Sequence, residues 1–328
     1  MTWLVTGGAG YIGAHVVRAM VGDGQQVVAL DDLSTGAADR VHGAALIEGS
    51  VLDRGLVQRV LCEHGVTGVV HIAGKKQVGE SVADPLLYYR ENVEGLIALV
   101  EGCRAQGVDR FLFSSSAATY GLPDVELVSE DTPGVPLSPY GESKLIGEWL
   151  LRDCAAAYGM RAMALRYFNV AGAATPELGD PGVFNLIPLV LQALHDGRRP
   201  RVNGDDYATP DGTCVRDYVH VTDIADAHLA AARALDGGAA GATYNIGRGV
   251  GSSVLEVVDM IGQVTGLDTG YDVGPRRAGD PARIVAAVDR IREGLGFTAQ
   301  YDLREMVCSA WAGWQLTHPA RTAREPLQ

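Results

Sequence analysis

The sequence predicts an α/β fold, a doubly wound parallel sheet with a smaller α+β region, and three observations carry that prediction. Apolar runs of strand length alternate with segments of helical period through the first half of the chain. The runs are nearly continuous in apolar residues, which is the pattern of strands covered on both faces. The first run leads straight into a glycine-rich turn. Repeated strand–helix–strand units with right-handed crossovers then give a Rossmann-like sheet.

The expected strands are Trp3–Thr6, Gln26–Leu30, Ala44–Ile47, Gly68–Ile72, Arg110–Phe113 and Met163–Tyr167, and the helices between most of them include Ala14–Val21, Leu56–Glu63, Leu86–Arg104 and Ser143–Ala157. Beyond Gly172 the texture changes. Gly, Pro and Asp become frequent, and the helical patterns Leu186–His195, Ile224–Leu235, Leu255–Val264 and Leu303–Trp314 are less regularly spaced from strands. This divides the chain into a first unit, residues 1–172, and a second, 173–316, some segments of which can return to the first. The last stretch, 317–328, has two prolines and little apolar content and is expected to be a loose tail.

Composition narrows the function classes. The chain has 328 residues, 47% hydrophobic and 20% charged, enough apolar matter for a large core and too much for disorder. A net charge of −13 argues against a nucleic-acid binder, which needs a basic face. Five scattered cysteines form no CxxC pair and read as reduced thiols of a cytoplasmic protein. Nothing ahead of Trp3 looks like a secretory leader, and no apolar run reaches the ~20 residues of a membrane span. The eight histidines are scattered, so no metal site is expected, and His71 reads as a core histidine. Of 27 basic residues only Lys75, Lys76 and Lys144 are lysines.

Two constellations point to chemistry. Thr6-Gly7-Gly8-Ala9-Gly10-Tyr11-Ile12-Gly13 follows a strand and opens a helix. Glycines there permit the tight turn, the approach of backbone to a pyrophosphate and close helix–strand packing, while the helix N-terminus presents free N–H groups to the anion. The second expected strand ends at Asp31-Asp32, where a carboxylate accepts from the adenosine ribose and favours NAD over its 2′-phosphorylated form. For Asp32 a turn or capping role is an equal alternative. Further on, Ser114-Ser115-Ser116 closes a central strand, and Tyr140 and Lys144 stand i and i+4 on an expected helix, sharing one face. A tyrosine serves as a base near neutral pH once its phenolate is stabilised, and an ammonium four residues on does that. Ser116 can bond the same substrate hydroxyl.

The chain resembles the extended short-chain dehydrogenase/reductases, and among them the UDP-hexose 4-epimerases, from Leu4 to about Pro319. The motifs that carry the resemblance are TGGAGYIG at Thr6–Gly13, AGKKQVGES at Ala73–Ser81, SSSAATYG at Ser114–Gly121, YGESK at Tyr140–Lys144, LRYFNVAGA at Leu165–Ala173, DGTCVRDYVHVTDIADAH at Asp211–His228 and RRAGDPA at Arg276–Ala282. The resemblance implies an NAD-binding first unit, a UDP-sugar-binding second unit, and reversible interconversion of UDP-galactose and UDP-glucose on tightly held NAD. Tyr140 would take the proton of the sugar 4-hydroxyl while hydride leaves C4 for the nicotinamide. The 4-keto sugar would turn in the cleft and recover hydride on its other face. Lys144 would hold the nicotinamide ribose and lower the tyrosine pKa, and Ser116 would anchor the 4-oxygen.

By the same resemblance the dinucleotide would meet Gly7, Gly10, Tyr11, Ile12, Gly13, Asp31, Asp32, Leu33, Ser34, Thr35 and Gly36, then Ser50, Val51, Ile72, Ala73, Gly74, Lys76, Asn92, Ser114 and Phe168. The sugar nucleotide would meet Tyr167, Asn169, Asn185 and Leu186, with Arg216, Arg277 and Asp280 at its diphosphate and ribose. Local arginines are what an acidic protein needs to hold a diphosphate. Ile284 falls at the position that governs acceptance of N-acetylated sugars. Three departures from the family pattern stand out: Ser50 in place of an aspartate, Glu91 ahead of Asn92 in place of a second asparagine, and Asn203 where an aromatic often precedes the Gly204 turn.

Related 4,6-dehydratases carry an Asp-Glu pair and decarboxylases a glutamate just after the third serine, where this chain has Ala117-Ala118. Elimination therefore lacks its acid and base, and epimerisation remains. The alternatives are a 4-epimerase of UDP-N-acetylhexosamines or UDP-uronates, and a non-catalytic NAD-binding regulator on the same fold. The resemblance also implies a homodimer paired through two helices of each chain; Leu96–Val100 and Leu145–Leu151 fit that seam, and burial against the chain's own sheet explains them equally well.

Overall fold

The computed structural model describes residues 1–319 except Ala278. A seven-stranded, all-parallel sheet forms its centre, in the order β10-β6-β5-β4-β1-β2-β3. Its strands are β1 (Thr2–Thr6), β2 (Gln26–Asp31), β3 (Ala45–Glu48), β4 (Gly68–His71), β5 (Arg110–Ser116), β6 (Arg161–Tyr167) and β10 (Ala242–Ile246). Their interior residues are buried, as the apolar runs require: Trp3, Leu4, Val69, Val70, Phe111 and Leu112 are fully enclosed.

Between these strands run α1 (Tyr11–Gly22), α2 (Arg54–Glu63), the short α3 (Val78–Ala83) and α4 (Pro85–Tyr88), then α5 (Gly95–Gln106) and α6 (Pro139–Tyr158). They cover the sheet with two separate apolar cores, one on each face. Chain order reverses between β1 and β4, and the carboxyl ends of those two strands open the crevice where ligands of such sheets bind.

The rest of the second half forms β7 (Asn169–Ala171), α7 (Leu186–His195), β8 (Arg201–Asn203), β9 (Val215–His220), α8 (Val221–Asp236), β11 (Gly251–Ser253), α9 (Val254–Thr265), β12 (Asp272–Gly274), β13 (Arg283–Ile284), α10 (Asp289–Leu295) and α11 (Leu303–Thr317). A small sheet sets β9 between β11 and β13, with β7 also paired to β9. Helices α7, α9 and α11 enclose a third core around Ile187, Val257, Met306 and Trp314. Strand β10 and helix α8 leave this half and complete the first sheet, α8 lying against α1.

The structure corrects several sequence expectations. Helix α1 begins at Tyr11, three residues before the expected Ala14, because Gly10 is its N-cap. The three serines continue β5 as ladder residues opposite Leu165, Arg166 and Tyr167. The expected helix 86–104 is interrupted by a π-helical turn, Tyr89–Glu94, between α4 and α5. At the C-terminus, Thr317 ends α11 and the His318 ring stacks on Trp314 at 3.8 Å, so the tail does not begin at 317. Residues 320–328 of the expected tail lie outside the described residues. Of the two apolar stretches, Leu96, Leu99, Val100, Leu145 and Leu151 are buried, four of them in the chain's own sheet-face core, while Trp149 is exposed.

Candidate active site

The glycine turn is built around two close approaches. Gly7 adopts φ +71°, and a Cβ there would stand 2.7 Å from the backbone N of Ala73, two residues past β4. Backbone N–H groups of Ile72 and Ala73 both donate to the Thr6 carbonyl, which seams the two strand ends together. A Cβ on Gly13 would lie 1.9 Å from the Gly7 carbonyl oxygen. Only glycine lets α1 rise this directly from the turn, and its first turn carries Tyr11, Ile12 and Gly13 with their N–H groups at the crevice. This cradle, which any side chain would fill, fits a dinucleotide pyrophosphate.

Asp31 ends β2 and is buried. Its Oδ2 accepts from Ala9 N and its Oδ1 from Leu33 N, both at 2.9 Å, so the carboxylate braces the glycine turn and has lone pairs left for a ribose. Asp32 is exposed and accepts from Ser34 N and Oγ, the turn role that was its alternative. Thr35 and Gly36 follow in the same loop. Ser50 Oγ accepts from Leu52 N, while Asp53 caps α2 by accepting from Leu56 N. Asp53 therefore does not stand in for the carboxylate missing at Ser50. The Val51 side chain belongs to the core.

Asn92 lies in the π-helical turn. Its Oδ1 accepts from Lys75 N at 2.8 Å, and its Nδ2 donates to Lys75 O and to Ser143 Oγ. The amide is thus spent on fastening the Gly74–Lys76 loop to α6, and π turns commonly mark such sites. Lys76 Nζ stands 5.9 Å over the Tyr11 ring.

Helix α6 opens with Ser138 as N-cap, its Oγ accepting from Gly141 N, and Pro139 at the first position. That start places Tyr140 in the first turn and Lys144 in the second, both facing the carboxyl end of β5. Tyr140 is half-buried, edge-on to the buried Tyr88 ring at 6.4 Å. Burial raises its pKa above the ordinary tyrosine value, and a hydrogen bond with the Ser116 hydroxyl works in the opposite direction. Lys144 is buried beside the Phe113 ring, 5.1 Å away, and makes no salt bridge among the described residues. Burial pulls its pKa down to about 8. Ser116, not Lys144, is the protein group seen to favour the Tyr140 phenolate. The Tyr167 hydroxyl, on the strand beside β5, donates to His228 Nε2 at 2.5 Å.

On the side of the second half, Arg216 pairs with Asp280 at 3.5 Å, and Arg277 is exposed in the turn that leads to Asp280. Arg276 is occupied elsewhere: it bonds Asp206 and stacks on Tyr207 at 4.3 Å. Asn169 opens β7 on the surface. Asn185 sits at the start of α7 with Leu186 and donates to Asp180. Phe168 and Ile284 pack with Ala117 and Tyr120 in a small core directly behind Ser116.

Sequence reasoning missed the fastening that joins the two halves over the glycine turn. Tyr11 OH donates to the Gly172 carbonyl, Ala174 N donates to His15 Nε2, and Arg40 bonds the carbonyls of Glu177 and Leu178. Segment 172–178 is thereby held to α1 and to the loop after β2. Arg40 looked like one arginine of many, and no spacing rule marks it. Among the described residues no group of His, Cys, Asp and Glu could hold a metal ion, and no helix is long and apolar enough to cross a membrane.

Residues 3–247 match the NAD dependent epimerase/dehydratase family. The chain is 45% identical to the UDP-glucose 4-epimerase of Azospirillum brasilense over 318 residues, covering 95% of this chain and 91% of that one. Its fold matches the crystal structure of UDP-glucose 4-epimerase from Brucella ovis in complex with NAD at TM-score 0.92 and 42% identity, over 95% and 98% of the two chains. The Bifidobacterium longum enzyme, solved with NAD⁺ and UDP, matches at TM-score 0.90 and 37% identity, over 98% and 99%.

Proposed function

The chain belongs to the NAD dependent epimerase/dehydratase family, and from that premise we propose that it interconverts UDP-galactose and UDP-glucose by inverting C4 on tightly held NAD. One observation carries the reading: Ser116 and Tyr140 lie together beside a buried Lys144 that has no salt bridge among the described residues, at the carboxyl end of the sheet next to a dinucleotide cradle. Ala117 and Ala118 follow that serine, so neither an acid nor a base for elimination is present there.

The glycine turn and the N-terminus of α1 would hold the pyrophosphate of NAD, Asp31 its adenosine ribose and Lys144 its nicotinamide ribose. Bound NAD⁺ supplies a reversible two-electron acceptor and a positive charge. Within that site Tyr140 accepts the proton of the sugar 4-hydroxyl and returns it after the ring has turned, while Ser116 donates to the 4-oxygen and holds it in line. Burial alone would leave Tyr140 too weak an acid. Ser116 opposes that shift only in part, and the positive charge of bound NAD⁺ would lower the pKa further. Arg216, Arg277 and Asp280 would hold the diphosphate and ribose of the substrate, and Tyr167, Asn169, Asn185 and Leu186 would line its path.

The test is purified protein incubated with UDP-galactose and no added NAD, followed by nucleotide-sugar chromatography. UDP-glucose should form. No conversion, even with NAD supplied, would refute the assignment of substrate.

A homodimer is also proposed, seated on an exposed apolar surface that shares Trp149 with the expected stretch Leu145–Leu151. Val82, Leu86 and Trp149 are 63%, 72% and 48% exposed, on helices α3, α4 and α6 that pack together. Light scattering should give twice the chain mass and Trp149→Glu should halve it; a monomeric native protein excludes the pairing. All five cysteines are unpaired, which supports a cytoplasmic setting.

A further inference from the structure

We propose that Glu148 and Arg166, joined to Ser115, are positioning residues that set the distance between Ser116 and Tyr140. The proposal rests on the functional reading above and extends it to residues outside the proton-transfer pair.

Ser115 of β5, Arg166 of β6 and Asn245 of β10 stand directly opposite one another on three adjacent strands, one step before Ser116. Glu148 of α6 closes on this row. Arg166 Nε donates to Glu148 Oε1 at 2.9 Å and a terminal nitrogen donates to Oε2 at 2.6 Å, a two-pronged pair whose side chains are each 8% exposed. Ser115 Oγ donates to the same Oε1 at 2.5 Å. The other arm of Arg166 donates to Tyr120 OH at 2.7 Å, and that hydroxyl donates to Asn245 Oδ1.

Glu148 is four residues beyond Lys144 and eight beyond Tyr140, so all three leave α6 on one side. Helix α6 is therefore pinned to β5 and β6 one turn past Lys144, by contacts to the residue adjacent to Ser116. A buried ion pair of this kind contributes little net stability compared with apolar packing, and its attested use is to fix register. The register it fixes here is that of the helix bearing Tyr140 against the strand bearing Ser116.

Two variants separate positioning from stability. Arg166→Lys keeps the charge opposite Glu148 but not the fork, and Ser115→Ala removes one hydroxyl link with little threat to folding. Since an error near 1 Å in such geometry costs up to ~100-fold in rate, Arg166→Lys should lower kcat at least about tenfold and Ser115→Ala about threefold, with KM for UDP-galactose within about threefold. The acidic limb of the kcat profile should move to higher pH in both, because a slackened Ser116 bond no longer favours the phenolate. The other groups that face Tyr140, namely Lys144 of α6, Tyr88 of α4 and Tyr167 of β6, are unchanged in these variants.

Thermal melting run alongside reports the structural contribution. A kcat that falls only with the folded fraction, or a pH limb that stays in place in both variants, overturns the proposal while an active wild type leaves the functional reading standing. A wild type inert to UDP-galactose overturns that reading and the proposal with it.

Discussion

Tyr140→Phe is expected to abolish turnover, lowering kcat by about 10³-fold or more, the upper part of the range for removing a positioned general base. The protein should still fold and keep its NAD. The Tyr140 ring rests edge-on against Tyr88, and phenylalanine preserves that contact. Helix α6 keeps its Ser138 cap, and Lys144 keeps its place beside Phe113. Loss is confined to one oxygen, the one beside Ser116. Chromatography of the sugar nucleotides measures it. A variant within tenfold of wild type would put the base on another side chain.

The second large effect is on stability against acid. Burial lowers four histidines far below their ordinary 6.5: His15, His220 and His228 to about 4 and His71 to about 3. Three of them also use a ring nitrogen as an acceptor in the fold. His15 Nε2 accepts from Ala174 N, His220 Nδ1 from Thr222 N, and His228 Nε2 from the Tyr167 hydroxyl. Protonation breaks each of these bonds. The folded chain therefore binds fewer protons than the unfolded chain between pH 6.5 and about 4, and stability falls as pH falls through that window.

Asp217 acts in the other sense. Its pKa is raised to about 6 by burial, so the folded form takes up its proton first. Burial also raises Asp223 and Asp226, so four histidines less these carboxylates leave a net of roughly one to three protons, a slope of about 1–4 kcal/mol per pH unit near pH 5. Integrated down to pH 4, that removes a large part of a typical folding free energy of ~5–15 kcal/mol. Melting temperature measured from pH 7 to 5 should drop steeply, and a flat curve would contradict the burial of these rings.

Local chemistry was legible in the sequence wherever the reason for a residue was local. Gly7 and Gly13 answer to contacts within one turn and the adjacent strand, and Tyr140 and Lys144 share a face by helical spacing alone. Misreadings arose where partners are distant. Apolar content marks β5 only as far as Phe113, yet β6 holds Ser114–Ser116 in the ladder as well. The start of α1 is hidden by a glycine N-cap that carries no side-chain signal. The pairing of Glu148 with Arg166 has no mark in the sequence, since nothing local announces that strand register will set Arg166 opposite Ser115 and bury both. Leu96 and Leu151 show the converse: an apolar helix stripe fits equally well against a partner or against the chain's own sheet, and here the sheet takes it. Strand β10 returns to the first sheet over a gap of some seventy residues, a pairing that no local pattern encodes.

The central claim is that C4 is inverted by removing and returning its own hydrogen within one closed site. It is tested most directly with UDP-galactose carrying deuterium at C4, given to the purified protein in ordinary water. The account predicts UDP-glucose that retains the deuterium at C4. Product whose label has been lost to water would contradict it, because inversion would then proceed by proton exchange at carbon and not through Tyr140 acting on the 4-hydroxyl.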